Sequence, residues 1–149
     1  MNILGLPVKE TKENIELLNV LLANFQVYYQ NLRGLHWNIR GKRFFELHVK
    51  FEELYNQSQL RIDEIAERVL TLGGTPLHTF EDYMKNNKLE VGKDVTNDEE
   101  AVALIVKSLA ALLVIEREIL ENAGAINDEG TTSMMSDLIT EQEKDIWMM

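Results

Sequence analysis

The chain contains no cysteine. That absence excludes disulfides, thiolate metal clusters and thiol chemistry, so any metal site has to be built from His, Asp and Glu, donors that suit iron, manganese or zinc. Proline is almost as scarce. Pro7 and Pro76 both lie outside the long periodic stretches, and glycines gather at Gly73-Gly74, Gly124 and Gly130, where helices are expected to end or begin. No apolar run approaches the length of a membrane span, and residues 1–8 lack the basic start, long apolar core and cleavage site of a secretory signal. A soluble, cytoplasmic protein is expected. Basic residues are also few: Lys and Arg number 15 against 25 Asp and Glu, for a net charge of −10. Such a surface repels phosphate backbones and attracts cations, which argues against a reader of duplex DNA.

What remains is helical in pattern. At 149 residues and 45% hydrophobic content the chain is the size of one domain, residues 1–149, with material for one sizeable core. Leu18, Leu21, Leu22, Phe25, Tyr28, Tyr29, Leu32 and Leu35 recur at three- and four-residue spacing, predicting a first helix over about 11–37 with one buried face. A connector at 38–42 leads to a second run over about 44–72, closed by Gly73-Gly74 and Pro76. Between 75 and 95 the pattern weakens to one or two turns around 79–84. Thr96-Asn97-Asp98-Glu99 then reads as a capping box with Thr96 as the cap, opening a third helix through Leu104, Leu112, Ile115 and Ile119 towards Ala123. A fourth is expected to begin near Thr131. Two helical hairpins joined by a long crossover holding a short extra helix is the connectivity of ferritin-like four-helix bundles, although periodicity alone fixes neither topology nor handedness.

The chemistry-bearing residues sit on the first two helices. His48 with Glu52, and Asp63 with Glu67, are pairs four residues apart on one helix and so share a face within each pair. His36, near the end of the first helix, is brought opposite His48 by the hairpin. His48 and Asp63 are fifteen residues apart, which at about 1.5 Å per residue separates them by roughly 22 Å. They cannot hold one ion within one chain; if both pairs serve one site, the second comes from another copy across a two-fold axis. No Glu-x-x-His motif of a within-subunit di-iron site occurs, since His36, His48 and His78 are preceded at three residues by Arg33, Phe45 and Thr75. Each pair also has an ordinary reading as surface decoration.

The run from Tyr29 to Gly41 (YQNLRGLHWNIRG), followed by Phe44-Phe45-Glu46-Leu47-His48 and Asp63-Glu64-Ile65-Ala66-Glu67-Arg68, resembles the signature of the Dps, or miniferritin, family. The stop at 72–76 and the closing Glu143-Lys144-Asp145-Ile146-Trp147-Met148 resemble it as well, so the likeness spans nearly the whole chain. It implies a hollow dodecamer with ferroxidase sites at two-fold interfaces, His36 and His48 coming from one subunit and Asp63 and Glu67 from its partner. Two ferrous ions would be oxidised there by hydrogen peroxide and the ferric product stored as mineral, protecting against oxidative stress. Zinc or another divalent ion can occupy such a site. At the family's remaining acidic position this chain has Glu52, whose extra methylene leaves direct and water-mediated ligation both open.

The resemblance further implies that Trp37, beside the first histidine, takes up stray oxidising equivalents; an interface anchor is the alternative. Iron entry in the family runs through acidic pores formed by the segment between the last two helices, making Asp128 the first candidate, with Glu121 and Glu129 behind it. From Glu121 onward seven acidic residues face Lys144 alone, a pattern that also fits a solvated helix face. DNA compaction, an activity of some members, usually relies on a lysine-rich tail. Residues 1–20 carry only Lys9 and Lys12 against Glu10, Glu13 and Glu16, and no basic extension follows Trp147, so DNA binding is not expected.

Overall fold

A computed structural model describes residues 1–149 as five helices: α1 (Val8–Asn38), α2 (Phe44–Thr71), α3 (Phe80–Lys85), α4 (Asp98–Ala125) and α5 (Glu129–Met148). The apolar stripe of α1 is buried, with Leu18, Leu21 and Leu32 wholly inaccessible, and it meets Phe51, Ile65 and Val69 of α2 and Ile105, Leu109 and Leu112 of α4 in one continuous core. Four long helices share that core because none can bury its stripe alone.

Direction is fixed by a row of asparagines on α1. Asn19 bonds the backbone of Thr75 and Leu77, Asn24 that of Asn86 and Lys88, and Asn31 that of Glu90 and Gly92. The crossover therefore travels along α1 from near its start to its end, where the Arg40 amide donates to the Thr96 carbonyl at 2.8 Å. α4 accordingly begins beside the end of α1 and runs antiparallel to it. α1 with α2 and α4 with α5 are antiparallel hairpins, and Arg61 of α2 reaches Glu141 of α5 to close the fourth side. Each amide satisfies crossover backbone groups that have no ladder of their own.

Helix ends follow local chemistry, with corrections to the sequence reading at both ends of α4 and at the start of α5. α2 stops where Gly73 takes φ +95°, with the Gly74 amide on the Val69 carbonyl and the Gly73 amide on Leu70, a Schellman closure. The cap of α4 is Asn97, not Thr96: the Asn97 side chain accepts from the Glu100 amide at 2.8 Å. Thr96 is held in the crossover by Arg40, and Asn caps at least as well as Thr. At the far end Gly124 lies inside α4, and the left-handed position is filled by Asn127 at φ +60°. Asp128 then caps α5 two residues earlier than expected. Gly130 serves a different purpose, since a Cβ there would lie 2.6 Å from the Arg68 guanidinium.

Candidate metal centre

The 39–43 connector folds the end of α1 against the start of α2, and this brings His36 and His48 face to face. Their rings stack with centroids 3.7 Å apart and planes 11° from parallel. Each Nδ1 points at the other residue's backbone carbonyl: His36 Nδ1 lies 2.6 Å from the His48 oxygen, and His48 Nδ1 lies 2.7 Å from the His36 oxygen. A carbonyl only accepts, so both Nδ1 atoms carry hydrogen, and on each ring Nε2 is the nitrogen left for a ligand. Phe44 stacks on the outer face of His48 at 4.9 Å, and Tyr55 stands edge-on to His36 at 5.3 Å. The imidazoles are therefore locked in orientation before anything binds.

Glu52 lies one turn beyond His48, exposed, and accepts from the Tyr55 hydroxyl at 3.4 Å. Partial desolvation, and then Glu52, raise the Tyr55 phenol above its usual range. Asp63 and Glu67 are exposed further along α2. Within one subunit no three His, Asp or Glu side chains converge to hold an ion. The structure thus pairs the two histidines and leaves the two distal acids on the surface of the same helix. A concavity of about 840 Å³ lies between α2 and α5, lined by Lys50, Glu53, Arg61, Asp137, Glu141 and Asp145 and by neither histidine.

The remaining candidates divide. Trp37 is exposed, and the Arg33 guanidinium lies 5.0 Å above its ring and 5.4 Å above that of Tyr29. Glu121 and Glu129 are exposed at the α4–α5 turn. Asp128 is not available to line a pore from this subunit's surface: it is 2% exposed, its Oδ1 accepts from the Thr131 amide at 3.1 Å and from Arg68 at 2.7 Å, and its Oδ2 accepts from the Thr131 hydroxyl at 2.6 Å. An acid just before a helix and facing a basic residue one helix away is a cap first. Asp128→Ala removes the cap and leaves Arg68, whose side chain is 18% exposed, without its partner. A loss of about 2–4 kcal/mol in chemical denaturation is expected, with Asp128→Asn losing less than half of that.

Phe44 and Tyr55, which hold the imidazoles, were not singled out in the sequence, although Tyr55 falls seven residues after His48 and so on its face of α2. Glu116, fully buried on α4 and bonded to Gln142 of α5, was also missed; its spacing of four from Leu112 and three from Ile119 marks it as lying on the buried stripe.

Comparison with known proteins shows the family and the fold. A ferritin-like domain family matches residues 15–149. A DNA protection during starvation protein from Porphyromonas gingivalis is 38% identical over the whole chain and 94% of its own length. The crystal structure of a Dps protein from Vibrio cholerae, described as belonging to a broad superfamily of ferritin-like diiron-carboxylate proteins, superposes with a TM-score of 0.97 at 48% identity, covering 99% of this chain and 93% of that one. Dps from Listeria innocua soaked with zinc superposes at 0.87 with 30% identity, covering 91% and 92% of the two chains.

Proposed function

The chain belongs to the Dps family of ferritin-like proteins, and from that membership we propose that it oxidises ferrous iron with hydrogen peroxide at sites shared between two subunits and stores the ferric product inside a dodecameric shell. The observation that carries this reading is the reciprocal lock of His36 and His48, which frees two Nε2 atoms, while the subunit's own His, Asp and Glu side chains do not by themselves form a three-donor set. A two-fold related copy supplies what is missing, because Asp63 and Glu67 are exposed on α2 and the symmetry that brings them to one histidine pair completes the second site as well. Exposed Phe45, Val49, Leu60 and Leu70 on the same helix support an interface along it.

In this reading iron is the substrate. His36 and His48 hold ferrous ions through nitrogen, the partner's Asp63 and Glu67 and this subunit's Glu52 contribute hard oxygen donors that favour the ferric product, and the same set accepts zinc or another divalent ion. Peroxide takes two electrons, one from each of two ferrous ions, so neither of its oxygens leaves as hydroxyl radical. Glu121 and Glu129 are the exposed acids available for an iron entry near the α4–α5 turn.

The test is anaerobic ferrous titration of the assembled protein followed by a peroxide pulse. Saturable binding, fast ferric absorbance and iron retained in the particle are expected; an intact oligomer that binds no ferrous iron would reduce the protein to a structural bundle. DNA compaction is the competing activity, and the charge of −10 opposes it. At physiological salt and pH 7 the assembled protein is expected to leave plasmid mobility unchanged in a gel-shift assay.

A further inference from the structure

We infer that the Arg61 guanidinium is the resident cation of an oxygen-lined site inside the subunit, and that it keeps a divalent metal ion from binding there. With Arg61 removed, the same site takes a hard divalent cation such as manganous or ferrous ion.

The groove between α2 and α5 continues inward as a cavity of about 10 Å³ that reaches Phe25 and Leu109 and keeps Arg61, Glu141 and Asp145 in its wall. That is room for one particle the size of a water molecule. Tyr28 of α1 and Gln142 of α5 also line it, 3% and 4% exposed, yet the Tyr28 hydroxyl and Gln142 Oε1 have no hydrogen-bond partner in the protein. Buried oxygens are ordinarily satisfied, so two idle ones in one small cavity mark a place for a ligand. An amide oxygen only accepts, which restricts that ligand to a hydrogen-bond donor or a cation. Burial, then the charges of Asp145 and Glu141, raise the Tyr28 phenol above its usual range, so its oxygen stays protonated beside those two carboxylates.

Glu141 and Asp145 are four residues apart on α5, so two like charges share one face and call for a cation between them and α2. Arg61 supplies it. Its Nε and Nη2 donate to the two Glu141 oxygens at 2.8 and 2.9 Å, and its Nη1 donates to both oxygens of Glu64 at 3.1 Å. Every guanidinium nitrogen is engaged, and both Glu141 oxygens are taken by a charge that does not titrate away. An arriving divalent ion meets that charge and finds only the Asp145 carboxylate and two neutral oxygens, too little to replace its hydration shell. Without Arg61 the cavity widens and two carboxylates, an amide oxygen and a phenol oxygen converge on it, a hard donor set. Under the proposed ferroxidase reading, on which this last step rests, Arg61 prevents ferrous iron from lodging inside the bundle and leaves it for the shared sites.

Titration of the assembled protein with manganous ion, followed by loss of the free ion's electron paramagnetic resonance signal, tests this without any oxidation step. Arg61→Met is expected to bind about one ion per subunit more than the wild type, and Arg61→Met with Asp145→Asn to lose that extra ion. Arg61→Lys, which keeps a positive charge, is expected to match the wild type. Arg61→Gln, which keeps an amide donor for Glu141, takes the place of Arg61→Met if the latter does not assemble, with the same expectation. No gain in either variant, an equal gain in Arg61→Lys, or an extra ion that survives Asp145→Asn overturns the inference. The wild type decides as well: a count that falls in Asp145→Asn alone shows an ion already bound beside Arg61 and overturns it, while equal counts support it. These outcomes leave the ferroxidase reading untouched, since that reading depends on His36 and His48, and a protein that oxidises no iron leaves the manganous counts as they are.

Discussion

Subunits carrying His36→Ala with His48→Ala, and separately subunits carrying Asp63→Ala with Glu67→Ala, are each expected to lose peroxide-driven ferrous oxidation by about 100-fold or more, as removal of whole ligands should exceed the loss seen for their supporting contacts. Co-assembled from dissociated subunits, the two inactive variants are expected to regain activity. In a mixed dimer one site combines both defects, while the other pairs intact histidines from one subunit with intact acids from its partner. Random assembly at equal ratio makes about half the dimers mixed, so about a quarter of wild-type sites should return. A site built within one subunit predicts no recovery, because every subunit in the mixture is damaged. The alanine variant also empties the space between Phe44 and Tyr55, where two stacked rings now sit. His36→Gln with His48→Gln fills more of that space and separates loss of ligation from loosening of the α1–α2 hairpin. Rates should fall equally in both variants, and only the alanine one should lose appreciable stability.

The helices were legible because their signals are local and repeated. Leu18, Leu21, Leu22 and Phe25 announce a buried stripe, and Gly73-Gly74 followed by Pro76 announces its neighbour's end. The crossover was legible only as a gap between patterns. Its course depends on Asn19, Asn24 and Asn31, residues with no apolar period whose partners lie 56 to 64 positions away. The caps show the same limit on a smaller scale: Thr96 and Asn97 are both good caps, and the choice between them was made by a hydrogen bond from Arg40. At the site, spacing alone paired His36 with His48 and separated Asp63 from both. The mutual Nδ1 lock was beyond reach, since it needs the register of the connector to place each ring over the other's carbonyl. The burial of Asp128 was hidden for the converse reason. Its acidity is visible in sequence, whereas the Arg68 that consumes it is 60 residues away.

Glu116→Gln is expected to make the fold markedly less sensitive to pH between about 5 and 8. Glu116 is wholly inaccessible in the middle of α4; one carboxyl oxygen accepts from the Gln142 amide, and the other has no partner. Burial is the main cause that pushes its pKa from an ordinary 4.5 up to about 8, against the opposing pull of Gln142 and then Arg117, with Glu141 adding to the rise. At pH 7 the folded protein therefore keeps this acid mostly protonated while the unfolded chain does not. The folded state binds the extra proton, so stability is fully present below about 4.5 and falls as pH rises towards 8, by up to roughly 1.4 kcal/mol per pH unit. Summed over that window the loss is on the order of 4 kcal/mol, large against the 5–15 kcal/mol typical of a whole domain. Asp145, half-buried and also shifted upward mainly by burial, adds a change of the same sign in both proteins and so drops out of the comparison. Denaturant midpoints of wild type and variant, measured in the same assembly state, should nearly coincide at pH 4.5 and separate steadily to pH 8, with the variant the more stable. Parallel curves would mean that water reaches the unpartnered oxygen and that Glu116 ionises like an exposed acid. The expected divergence would place an ionisable group on the inner stripe of α4 at a measurable cost to stability at neutral pH, a cost that Leu112, Ile115 and Ile119 around it do not carry.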